Sequence, residues 1–370
     1  MSAPKLSFIV LSYNYENYIR ETIESILNQT VSDFEVVVVD DCSTDNSRDV
    51  VRSFGDRRVR LIENQRNLGG AGSYNVAVSA AQGEWLVNLD ADDWIAPDKC
   101  TLQLAAIDAD PSIDIIGSWV SVVDGRGTRH DRADEIEAAI NQSFKLNLVE
   151  TWLGRNPLCR SSTMIRRAAH MRFGLDDADM VRAPDYELWM RALAHGARFA
   201  LLEKQLTYMR QHGRGVTYGD PVGTFLEMSF GMIRSLAPLA ERRALFDSHA
   251  EIVRWIARNA NLISLTPRES LKLIGLSVTL RPSDSFKAFR DLIRDPAPDP
   301  DLERAGRHAL LGAATYTPPG TVEKLYADIQ LYIEARDYWI ERYENSRKVG
   351  VLESMYNSAK FRAKRLISPS

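Results

Sequence analysis

The sequence predicts an α/β fold, a mostly parallel sheet flanked by helices and followed by a helical C-terminal region. Three observations predict it. Short apolar runs alternate with helical patterns over the first ninety residues, one of those runs, FEVVVVDD (34–41), is almost unbroken valine, and strand-like Val/Ile runs stop after about residue 232. The alternation is the mark of right-handed β-α-β crossovers in an open sheet. Near-continuous valine suits a strand covered by helices on both faces.

Taken in order, LSFIVLS (6–12) reads as the first buried strand. ENYIRETIESILNQ (16–29) is an amphipathic helix with Ile19, Ile23, Ile26 and Leu27 on one face. FEVVVVDD is the second strand, followed by a helix beginning near Ser43–Ser47, a strand at VRLIEN (59–64), a helix across 71–81 and a strand at EWLVNLD (84–90). Between residues 110 and 210 the pattern turns mixed: IDIIGSWVSVV, SSTMIRR and ARFALLEKQLTYMR read as strands and DYELWMRALAHG (185–196) as a helix. Helical patterns fill the rest, broken by DPAPDPD (295–301), so the expected division is 1–232 and 233–370. Within the second part, TVEKLYADIQLYIEARDYWIERYENSR (321–347) carries apolar residues at spacings of three and four, a seam for the protein body or for a second copy in a homodimer.

The bulk numbers exclude several classes. Apolar residues make up 45% and charged ones 26% of 370 residues, as in an ordinary globular protein with a full core. A net charge of -4 gives no basic field for nucleic acid. Cys42, Cys100 and Cys159 are too few and too scattered for a disulfide framework or a metal-ligand pattern. MSAPKLSFIV lacks a signal peptide's charged start and cleavage site, and no apolar run approaches the ~18–20 residues of a spanning helix. The expectation is a cytoplasmic protein, at most peripheral to a membrane. The C-terminal 24 residues sharpen that last point, with six basic residues against Glu353 and a modest apolar stripe. Such a helix can lie on an anionic membrane surface, and a solvated helix end accounts for it equally well.

Sheets of this kind bind ligands at the carboxyl ends of their strands, and here the strand ends collect polar and acidic residues: Ser12-Tyr13-Asn14, Asp40-Asp41, Glu63-Asn64 and Asp90-Ala91-Asp92-Asp93. In LVNLDADDW (86–94) two carboxylates, Asp90 and Asp92, stand one residue apart at a buried strand end. Uncompensated buried charge costs several kcal/mol per group, and a hard cation, Mg²⁺ or Mn²⁺, is its usual answer. An acidic turn that caps the next helix is the plainer account. Gly70-Ala71-Gly72 does not make a dinucleotide loop, because the third glycine of that motif would fall at Asn75 and the stretch after the first strand is SYNYEN.

Six segments in order, SFIVLSYNYENYIRETIESILNQT, FEVVVVDDCSTDNS, ENQRNLGGAGSYNVAVSAAQGEWLVNLDADDW, SSTMIRR, APDYELWMRALAHG and YMRQHG, resemble the family 2 glycosyltransferases, over roughly residues 4 to 218. The resemblance implies a GT-A type, Rossmann-like fold and an inverting transfer of sugar from a nucleotide-sugar donor, most naturally a UDP-sugar. The acceptor would be a glycan or lipid-linked hydroxyl, in bacterial surface polysaccharide or lipopolysaccharide synthesis. It implies Asp92 as the main metal ligand, with Asp90 in the metal, ribose or sugar shell. Asp41, ahead of Asp40, would contact the base or ribose, and Tyr13 would lie against the base. Asp185 would be the general base, with Glu187 as fallback, and His212 would approach the metal or diphosphate, with Arg210 and Arg214 beside it. Two departures stand out: relatives often carry arginine where this chain has Tyr74, and Glu where it has Pro184. A sugar nucleotidyltransferase and a non-catalytic module that binds nucleotide-sugars or glycans are the rival readings.

Overall fold

The computed structural model describes residues 3–212, 220–242, 248–260, 265–281 and 283–315. The seam at 321–347 and the basic C-terminal stretch lie outside the described residues. The first half runs β1 (Leu6–Ser12), α1 (Ile19–Leu27), β2 (Phe34–Asp40), α2 (Ser47–Arg52), β3 (Val59–Glu63), α3 (Gly69–Ala80), β4 (Trp85–Asp90), β5 (Trp94–Ile95), α4 (Lys99–Ala109) and β6 (Ile115–Val123). It continues through α5 (Ala133–Ile140), β7 (Met164–Arg166), α6 (His170–Phe173), α7 (Pro184–Ala194) and β8 (Phe199–Arg210). Helices then follow: α8 (Pro221–Gly231), a π-helical turn (Met232–Leu236), α9 (Ala237–Arg242), α10 (Ser248–Ala260), α11 (Pro267–Thr279), α12 (Phe286–Arg294) and α13 (Pro300–Thr315).

The eight strands form one mixed sheet in the order β3-β2-β1-β4-β7-β6-β8-β5. β3, β2, β1 and β4 are parallel neighbours, β7 is antiparallel to both β4 and β6, and β8 runs parallel to β6. The chain order reverses between β1 and β4, so the two strands diverge in connectivity at their carboxyl ends, the position where open sheets place a ligand crevice. Every strand expected in the sequence is present. The two-residue β5, paired with Tyr208 and Thr207 of β8, is too short to leave a pattern.

Valine on both faces of β2 finds a helix layer on each. Val36 and Val38 pack with Phe8, Val10, Val87 and the Ile19-Ile23-Ile26 face of α1. Val37 and Val39 turn to the opposite layer, which holds Tyr74, Ala77 and Val78 of α3, the apolar residues of α7, and the helices beyond residue 220. The helical region therefore shares the core of the sheet's second face. All three cysteines are unpaired thiols.

Candidate active site

At the end of β4 the chain turns sharply through Asp90, Asp92 and Asp93, which bring one carboxylate oxygen each to within 4.8 Å of one another. The backbone N–H of Asp93 donates to Asp90 O at 3.1 Å and closes the turn. Asp93 is buried and accepts the N–H of Arg210 at 2.8 Å. Its carboxyl is held well above the usual range by burial and by the neighbouring charges of Asp92 and Asp90. Asp90 is pushed up to about 6, first by burial, then by Asp92, with Asp185 adding to the push and Arg160 opposing it. Carboxylates under that mutual strain are a hard oxygen donor set lacking positive charge, and a divalent cation would supply it. The residues fit Mn²⁺ or Mg²⁺.

His212 joins the cluster from the end of β8: its Nε2 lies 2.7 Å from Asp92 Oδ2. Its ring stacks on Tyr18 at 5.3 Å and meets the edge of Tyr15 at 6.3 Å. Arg210 does not point outward to a phosphate. Its side chain donates to the carbonyls of Asp92 and Gly125, pairs with Glu21, and lies over the rings of Tyr18 and Trp94. Arg214 lies outside the described residues.

The strand-end loops of β1 and β2 are knitted together. Asn14, at φ 62°, donates its N–H to Ser43 Oγ and accepts the N–H of Thr44, while Tyr15 and Glu16 donate to Ser47 and Asp45. Tyr13 stands 48% exposed on this rim. Asp40 and Asp41 differ in a way their sequence does not reveal. Asp41 accepts hydrogen bonds from Asn64 Nδ2 (2.8 Å) and from the N–H groups of Leu68 (2.7 Å) and Gly69 (2.8 Å). It thereby caps α3, whose own N-cap residue, Leu68, has no capping side chain. Asp40 is buried, receives the N–H of Ser43 on Oδ1, and leaves Oδ2 without a partner. The unmet acceptor belongs to Asp40 and the braced carboxylate to Asp41.

Asp185 lies in the first turn of α7, which Pro184 begins. Asn156 Nδ2 donates to its Oδ2 at 2.8 Å, and its charge is felt by Asp90 and Arg160. Glu187, the fallback, is fully buried and held by Arg191 at 2.9 Å and Arg234 at 3.0 Å, which removes it from the site. The charge of Arg160, a residue the sequence does not single out, acts on Asp90, and that of Asp185 acts on Arg160. Arg160 grips Asp176 at 2.7 Å, lies 4.2 Å over the Tyr74 ring, and keeps a buried Nε without a partner. Next to it, Ser161 Oγ accepts the Asp90 N–H at 3.1 Å, while the buried Lys99 donates to Ser161 O at 2.7 Å. A cation thus stands over Tyr74, the position whose aromatic was noted as a departure. Its signal was there to be read: Arg160 immediately precedes SSTMIRR.

The acid turn lies at the switch point of the sheet and feels the charge of Asp185 in the first turn of α7, an arrangement that fits a GT-A type glycosyltransferase. The comparisons agree. Residues 7–174, a little under half of the chain, match the family model "Glycosyl transferase family 2". An uncharacterized glycosyltransferase of Methanocaldococcus jannaschii is 28% identical over 214 residues, covering 57% of this chain and 72% of that one. The succinoglycan biosynthesis protein ExoO of Rhizobium meliloti is 40% identical over 127 residues, 34% of this chain and 36% of that one. Among solved structures, S. aureus TarS residues 1–349, crystallised with UDP, is 21% identical with a TM-score of 0.56 over 85% of this chain and 93% of that one. At that identity the likeness speaks for the fold. Among the described residues no helix is long and apolar enough to cross a membrane.

Proposed function

We propose that the protein is a metal-dependent inverting glycosyltransferase that takes a sugar from a nucleotide-sugar donor. One observation carries the reading: three carboxylate oxygens gathered at the end of β4, with Asp185 close enough for its charge to act on Asp90. Asp92 and Asp90 would hold Mn²⁺ or Mg²⁺, which when bound sets positive charge against the departing diphosphate. Asp93 supports them from behind through Arg210, and His212 closes over Asp92. Tyr13 and the interlocked loops 13–16 and 43–47 would seat the nucleoside. Asp41 and Asp40 at the end of β2 would offer acceptors to a base N–H or ribose hydroxyl, with Asp41 also fixing residues 64–69.

Asp185 would receive the proton of the acceptor hydroxyl while the acceptor oxygen bonds to the anomeric carbon and the bond to the diphosphate oxygen breaks. Asn156 holds one carboxylate oxygen in place for that task. A UDP-sugar is the donor to try first, since S. aureus TarS was crystallised with UDP and with UDP-GlcNAc. The acceptor we propose is a glycan or lipid-linked hydroxyl in cell-surface polysaccharide assembly, the setting in which ExoO is named, reached at the cytoplasmic face of the membrane.

Asp185→Asn separates catalysis from donor binding. Turnover, read as nucleotide released from a panel of sugar nucleotides, should fall by ~10²–10⁴-fold while nucleotide affinity stays unchanged. Full turnover in that variant would remove Asp185 as the base.

A further inference from the structure

The first turn of α7 is gripped on both sides of Asp185 by residues from beyond position 220. Ahead of it, the N–H groups of Val181, Arg182 and Ala183 converge on the carboxylate of Glu227 in α8, at 2.9, 2.8 and 2.7 Å. Ala183 is the helix N-cap and brings no capping side chain of its own, and Pro184 follows it. Glu227, 1% exposed, therefore fixes from a distant helix the backbone that leads into α7. Arg182 adds a second tie to the same region through Asp220 at 3.1 Å.

Behind Asp185, two residues on, Glu187 is held by Arg234 at 3.0 Å, and Arg234 also reaches Asp177 at 3.4 Å. Arg234 stands in the π-helical turn Met232–Leu236, an irregularity that proteins often place near functional sites. Glu227 is buried, and the largely buried Arg234 grips the fully buried Glu187, so neither contact is a loose surface pair. Removing one partner of such a buried charge pair shifts backbone as well as charge.

We infer that Glu227 and Arg234 are positioning residues for the transfer step: the helical region aims Asp185 by fixing the backbone two residues before it and the side chain two residues after it. The inference rests on the proposed role of Asp185 as base. It makes the helical region part of the catalytic apparatus, although that region lies beyond the residues matched by the family model. Displacement of a reacting group by about 1 Å can cost on the order of 10²-fold in rate.

The test is a double-mutant cycle in the full chain with Glu227→Gln, Asp185→Asn and the pair. Turnover is read as nucleotide released from whichever sugar nucleotide the wild type consumes, and binding is titrated separately with UDP and Mn²⁺. Glu227→Gln should lower turnover about 10–100-fold with UDP affinity unchanged. In the Asp185→Asn background it should change nothing beyond about twofold, because the group it positions is already lost. If Glu227→Gln fails to fold, Arg234→Met carries the same cycle. Wild-type turnover in the Glu227 variant alongside an inactive Asp185→Asn would overturn the positioning role and leave the base intact. Full turnover in Asp185→Asn would instead overturn the base. A multiplicative loss in the pair, or lost UDP binding, would show that Glu227 merely holds up the fold.

Discussion

His170 is buried at the back of the site, with Nε2 3.1 Å from the Tyr74 hydroxyl and Nδ1 3.1 Å from Gly174 O. Burial pushes its pKa down to about 4, and the positive charges of Arg160 and Arg191 push the same way. The neutral ring is the one the fold accepts. Between about pH 6.5 and 4 the unfolded chain binds this proton and the folded chain refuses it, so stability is full above pH 6.5 and declines as pH falls through that window. The shift corresponds to roughly 3 kcal/mol across the window. Urea unfolding of wild type and His170→Asn between pH 7.5 and 4.5 checks it. The variant should show a flatter pH dependence, and parallel curves would contradict the assignment.

At the scale of the element, α3 shows how a strand-end carboxylate can serve structure first. The N-cap residue Leu68 brings no capping side chain; Asp41 accepts the N–H groups of Leu68 and Gly69, the latter shared with Asn67 Oδ1 at 3.1 Å, while also holding Asn64. Gly69 is at φ +73°, a backbone conformation that permits the turn and disfavours any side chain. Asp41→Ala should therefore destabilise the protein by about 1 kcal/mol, the cost of lost hydrogen bonds to partly buried donors. Denaturant unfolding measures it. An unchanged midpoint combined with lost nucleotide affinity would instead return Asp41 to direct ligand contact.

Much of the first two hundred residues was legible because each strand and helix there answers to its own periodicity. Val36 to Val39 report two covered faces, Ile19, Ile23 and Ile26 report one, and the acid run 90–93 follows a buried strand. The site's chemistry was legible where it lies at strand ends. What escaped are relations made by tertiary contact between residues far apart in the chain. Arg160 stacks on Tyr74, Glu227 holds the N–H groups of residues 181 to 183 from a distant helix, and of Asp40 and Asp41 only the second faces the N–H groups of residues 68 and 69. Helix α8 begins at Pro221, and the helices after it bury their apolar faces in the same core as α7, a relation that the end of the strand patterns does not announce.

Across the whole molecule, sheet order and the interlocked loops converge on the carboxyl ends of β1 and β4, where we propose that a nucleotide is held through a divalent cation. Calorimetric titration of UDP, UDP-sugars and GDP-sugars into the protein, with and without Mn²⁺, tests it most directly when repeated with Asp92→Asn. Selective binding that requires Mn²⁺ and is lost in Asp92→Asn, while that variant keeps the wild-type unfolding transition, is the predicted result. Binding of equal strength with and without the cation, or unchanged by the substitution, would contradict it.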